Sequence, residues 1–115
     1  MDKSIREFIN EVMRHNGYIS GRFAANDGDI MAILNYREDF SKYSEAKTLM
    51  DLYHYCKNSM GTFVWRNIVI FNHPYDFGTF VYKMPNAEEC VEHLDVDAMP
   101  FERFAEIIEK LASEN

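Results

Sequence analysis

Cysteine is scarce in this chain of 115 residues: Cys56 and Cys90 are the whole complement. Two thiols without a secretory signal do not make a disulfide framework, so the fold must rest on a hydrophobic core. No apolar run approaches the roughly 20 residues that cross a bilayer; the longest, Ile30–Leu34 and Ile68–Phe71, are strand-sized. The amphipathic start Met-Asp-Lys-Ser-Ile-Arg-Glu-Phe has neither the apolar stretch of a signal peptide nor the acid-poor character of a transit peptide. A cytoplasmic location and no membrane partner are therefore expected. Glycine-rich phosphate loops are missing, and proline numbers only three.

Basic residues are missing from one region in particular. Residues 1–85 balance ten acids with ten bases, whereas residues 86–115 hold nine acids and only Arg103 and Lys110 as bases. The whole net charge of −7 therefore sits in the last thirty residues. Such a surface repels phosphate backbones, so no direct nucleic-acid binding is expected. It suits a protein partner with a basic surface, whose approach it would steer, or it serves as a solvated face that keeps the chain dissolved.

What is present is enough for one domain over residues 1–115, with 47 % hydrophobic and 15 % aromatic residues. Ile5, Phe8, Ile9, Val12 and Met13 recur at helical spacing and predict a helix over Ser4–His15, stopped at Asn16-Gly17. Tyr18–Ala24 and Ile30–Tyr36 read as strands about an Asn-Asp-Gly turn; the second has a short helix as its alternative. Ala46, Leu49, Tyr53, Cys56 and Met60 predict a helix over Ser44–Met60, capped by Ser44 and ended by Gly61.

Thr62–Phe71 reads as a single strand, apolar on both faces: Phe63, Trp65, Val69 and Phe71 on one, Val64, Ile68 and Ile70 on the other. Phe77–Lys83 reads as its antiparallel return. Asn86 with Glu89 predicts a short helix over Ala87–Leu94, and Phe101, Phe104, Ile107, Ile108 and Leu111 predict a last helix over Pro100–Ser113. The expected fold is α+β, a small antiparallel sheet of about four strands in two hairpins with flanking helices, in the order α-β-β-α-β-β-α-α.

Candidate chemistry is thin. His54 with Cys56, and Cys90 with His93, supply zinc-type ligands, but positions 54 and 56 point to different sides of a helix. Cys90 with His93 is also the one arrangement suited to thiol chemistry, against the pull of Glu88, Glu89, Glu92 and Asp95, which disfavour a thiolate. Asp76-Phe77-Gly78 copies three letters of the kinase metal motif without its companions. No cofactor and no metal are expected.

The tyrosines, with Trp65, exceed what one small core readily hides; such residues are favoured at interface hot spots, and equally they fill a small, aromatic-rich core. The leading expectation is a non-enzymatic protein-binding module, an inhibitor, antagonist or immunity-type protein. Its partner would carry a basic surface, as a nucleic-acid enzyme does, with the acids imitating spaced phosphates. The residues assigned to that contact are Glu88, Glu89, Glu92, Glu102, Glu106 and Glu109, with Tyr75 and Tyr82 as exposed aromatics.

Three alternatives stand beside it. One is an enzyme or small-ligand binder using Cys90 and His93, or His73. Another is a homodimer joined through Trp65, Val69 and Phe71. The third is a secretion-type chaperone. Pro85 to Leu111, with Leu94-Asp95-Val96-Asp97-Ala98 leading into a final amphipathic helix, resembles the small dimeric secretion chaperones in element order and acidity. That resemblance implies helices flanking a twisted antiparallel sheet and a protein client. The first half has one strand fewer than that class, and its leucine-rich central region is missing, so no residue roles transfer.

Overall fold

Ile5–His15 forms the first helix, α1, as its apolar spacing requires. Ser4 caps it, its Oγ accepting from the Glu7 amide at 3.1 Å. Phe8, Ile9 and Val12 on its stripe are fully buried. The computed structural model describes residues 4–15, 43–73 and 78–114. The strands expected at 18–24 and 30–36, and Tyr75, lie outside the described residues.

The second helix is shorter than its periodicity predicts. Ser44–Glu45 forms a strand, β1, and helix α2 runs only over Leu49–Asn58. Ser44 is drawn away from the capping role by parallel pairing with the next strand, locked by the Ala46 amide on Val64 oxygen at 2.8 Å. Thr48 caps α2 instead. Its Oγ1 accepts from the Asp51 amide at 3.1 Å, and Asp51 Oδ2 accepts from the Thr48 amide at 3.2 Å, a reciprocal capping box. Ser59 is the C-cap, so Gly61 opens the following strand rather than ending the helix.

The single strand expected over Thr62–Phe71 is a hairpin. β2 (Gly61–Trp65) and β3 (Ile68–His73) are antiparallel, with Trp65 opposite Ile68 and Gly61 opposite Asn72. Arg66 and Asn67 make the two-residue turn, Arg66 at φ +53°, the positive φ that tight hairpin turns demand. This fold-back resets the alternation of faces, because residues opposite each other across a ladder share a face. Phe63, Trp65, Ile68 and Ile70 therefore point one way, and Val64, Val69 and Phe71 the other.

β4 (Gly78–Lys83) pairs antiparallel with β3 along its length, as expected of the return strand. The chain then turns through the cis peptide Met84–Pro85. Where a helix was expected over Ala87–Leu94, residues Glu92–Leu94 form an edge strand, β5, antiparallel to β4. Asn86 does not cap a helix. Its Oδ1 accepts from the Glu88 amide two residues on, a local turn, and the Val91 amide donates to Val81 oxygen at 2.8 Å, committing the segment to the sheet. A 3₁₀ turn, Val96–Ala98, leads to the last helix, α3, over Phe101–Ser113, with Pro100 as its N-cap. The architecture is thus α+β, with a five-stranded mixed sheet among the described residues in the order β1-β2-β3-β4-β5.

The sheet is covered on both faces. α1 packs on Val64, Val69, Phe71, Phe80 and Tyr82. α2 and α3 share the other face with Phe63, Trp65, Ile68, Ile70, Val81 and Leu94. Phe104 and Ile108 of α3 are fully buried there. The Tyr53 ring of α2 meets Phe104 at 5.3 Å and Phe101 at 5.5 Å between centroids, and its hydroxyl donates to Met99 oxygen at 2.8 Å. Gly78 sits at φ +91° at the start of β4, where a Cβ would come to 3.0 Å from Leu94 oxygen. A side chain at this position would strain the backbone and crowd the Leu94 carbonyl of β5 by a few tenths of an ångström. Gly78→Ala is therefore expected to lower the unfolding midpoint and to speed hydrogen exchange at the β4–β5 ladder amides first.

Candidate protein-interaction surface

α3 positions the acids. Glu102, Glu106 and Glu109, spaced by four and three residues, fall on one stripe, opposite the buried Phe104 and Ile108. All three are exposed. Arg103 forms an ion pair with Glu106, and both remain more than half exposed. A pair this exposed contributes at most about 1 kcal/mol and leaves the stripe open to a partner. Glu88 and Glu89 are exposed on the segment joining β4 to β5. Glu92, half-buried on β5, lies on the face of the sheet that carries α3, since it stands opposite Val81. The six carboxylates thus occupy α3, β5 and the segment that leads into β5.

Tyr82 does not belong to this surface. It is fully buried, packed edge-on against Phe71 at 5.5 Å under α1. Its place opposite Val69 in the middle of the sheet makes it a core residue. The other tyrosines among the described residues are placed the same way: Tyr53 is buried, and Tyr43 and Tyr55 pack half-buried against the two cores. Trp65, Val69 and Phe71, expected to meet a second copy, are covered within the chain, Trp65 on the α2–α3 face and the other two beneath α1.

The four zinc-type residues are divided by the sheet. Cys56 is buried on the α2–α3 face, whereas Cys90 packs on the α1 face. His54 is exposed on α2, and His93 lies stacked on Phe80 with ring centroids 4.1 Å apart. Among the described residues, no three His, Cys, Asp or Glu side chains gather as a metal site would need.

Neither thiol is activated. Burial pushes Cys56 up to about 12. Burial also raises Cys90, which donates its S–H to Glu92 oxygen at 3.1 Å, and the Glu92 charge adds to the rise. Both are therefore expected to react with a disulfide reagent at pH 8 at least about tenfold more slowly than a free thiol, becoming normal on unfolding. Fast labelling of either in the folded chain would contradict this. A raised thiol also ties stability to pH. The neutral Cys56 contributes fully below its ordinary value of 9.0, and that contribution is lost as pH rises from there towards about 12. The unfolding midpoint of Cys56→Ala should fall less over that window than that of the parent chain.

Two adjoining hollows flank α3, and nothing in the sequence pattern announces them. One, of about 330 Å³, is lined by Lys83, Met84, Pro85, Val91 and Leu111. The other, of about 480 Å³, is lined by Glu92, Arg103, Ile107, Lys110 and Leu111. Leu111 and Glu114 belong to both. A larger hollow of about 580 Å³ lies at the opposite edge of the sheet, between β1 and β2, away from the acids.

Asn67, in the hairpin turn, ties the walls of the α3 groove together. Its carbonyl accepts from the Met84 amide at 2.8 Å, and its Nδ2 donates to Ala112 oxygen at 3.2 Å. No helix among the described residues is long and apolar enough to cross a membrane. Comparison of the chain with family models, curated proteins and solved structures yields no match.

Proposed function

We propose that this chain is a non-enzymatic protein-binding module of the inhibitor, antagonist or immunity type, working in the cytoplasm. Its acidic surface engages a partner with a basic face, such as an enzyme that acts on nucleic acid. The observation that carries the reading is the stripe Glu102, Glu106 and Glu109. The three carboxylates stand exposed on one side of a helix whose other side is anchored in the core, so they are presented at fixed spacing. Glu88 and Glu89 extend the negative field along the neighbouring segment. A field of one sign raises the rate of encounter with a basic partner and disfavours acidic competitors.

The thiol alternative loses support from the raised Cys56 and Cys90, because the thiolate is the reactive form. The test is affinity capture from host lysate with the parent chain and with Glu102→Lys, Glu106→Lys and Glu109→Lys combined. These residues are exposed, so the variant should keep its unfolding midpoint. The parent is expected to hold a stoichiometric basic protein that the variant loses. Equal capture by both would refute the reading.

A further inference from the structure

We propose that the groove beside α3 receives one aliphatic side chain of a basic partner segment, while the carboxylates around it hold the Lys or Arg residues on either side. This rests on the acidic surface being the partner surface. It adds a second, apolar determinant at a defined place.

Three observations converge on it. The floor is built from Met84, Val91, Ile107 and Leu111, all left half-buried by the fold. Side chains in that state gain by being covered, and one apolar anchor in a pocket with a charged rim is the common plan of interface hot spots. The groove is also held in shape before anything binds. Asn67 links the Met84 turn to the last turn of α3 through its carbonyl and its side chain, and the Asn86 amide closes that turn on Lys83 oxygen at 2.9 Å. A preformed pocket spares the partner the cost of ordering it.

Charge selects the occupant. Within the groove Lys83, Arg103 and Lys110 offset Glu92, Glu106 and Glu114. Arg103 is engaged by Glu106. Beyond the rim, Glu88, Glu89, Asp95, Asp97, Glu102 and Glu109 are exposed on residues 86–114, a stretch with no base besides Arg103 and Lys110. The lining itself is balanced, and it is the excess of acids in the surrounding residues 86–114 that favours a cationic segment. A second copy of this chain would bring a like-charged surface against it.

The full chain, labelled with nitrogen-15, is titrated at low salt with two short synthetic peptides. Both are Lys/Gly sequences of equal charge, one with a central Leu and the other with Gln there. The Leu peptide is expected to shift the amides of Val91, Ile107 and Leu111 and to bind about tenfold tighter than the Gln peptide. Asn67→Ala keeps every lining side chain yet loosens one wall, so it should cut that preference about threefold while the rest of the spectrum stays native. Equal binding of both peptides, with shifts confined to Glu102, Glu106 and Glu109, would overturn the groove and leave the acidic surface standing. Binding of neither would overturn both. Groove shifts that grow with protein concentration alone would make the groove a seam between copies and overturn the proposal.

Discussion

Phe104→Ala is expected to destabilise the chain by about 3–5 kcal/mol, read as the shift in its denaturant midpoint. Phe104 is fully buried where α3 meets α2 and the sheet, and its ring touches Tyr53. Truncation removes a large apolar side chain from water-free surroundings and leaves a cavity that Tyr53, held by its hydroxyl on Met99 oxygen, is poorly placed to fill. Domains of this kind have about 5–15 kcal/mol to lose, so a large fraction would be unfolded in mild denaturant. Phe104→Leu, which keeps most of the volume, should cost much less. Because Glu102, Glu106 and Glu109 ride on the same helix, Phe104→Ala should also weaken partner capture without altering a single charge. A loss of under about 1 kcal/mol would mean that α3 is not anchored through this residue.

Asn72→Ala is expected to cost about 3 kcal/mol, a large effect for one small polar group. Asn72 is fully buried on β3 and faces the end of α2. Its Nδ2 donates to Cys56 oxygen at 2.9 Å and to Ser59 oxygen at 2.7 Å, supplying donors where a helix runs out of its own. Its Oδ1 accepts from the hydroxyl of Thr79, its cross-strand neighbour. Removing the amide leaves these buried groups short of partners, each at about 1–3 kcal/mol before relaxation. Asn72→Asp should be worse, since it aims a carboxylate at two carbonyl oxygens. Adding Thr79→Val to Asn72→Ala should cost less than the sum of the two single changes, because both remove the same bond. Strict additivity in that cycle would contradict the network.

α1 and α3 are legible in the sequence because each carries one unbroken apolar stripe, and the α+β class follows. The hairpin at Arg66-Asn67 is not, for two physical reasons. Its turn uses an arginine at positive φ rather than a glycine, so the usual letters are missing. Both faces of the sheet are covered, so its strands lack the polar alternation that would have exposed the break. The adjacent polar pair was the available signal. At residues 87–94, helix-capping letters lost to a long-range effect, the open edge of β4, which local sequence cannot announce.

The surface shows the same division. The positions of the acids are written in their spacing on α3, and exposed charge needs no tertiary information. Tyr82 reads in sequence as an exposed aromatic because a tyrosine looks alike in a core and at an interface, and only its register opposite Val69 decides. The groove joins Met84, Val91 and Leu111 through bonds made by Asn67, residues that no local pattern connects.

If exposed carboxylates on and around α3 bind a basic partner, the dissociation constant of the captured complex depends on ionic strength. Affinity is expected to fall steeply with added salt, and the charge-reversed variant, already weak, to respond little. An affinity that is independent of salt and shared by the variant would contradict binding through these carboxylates.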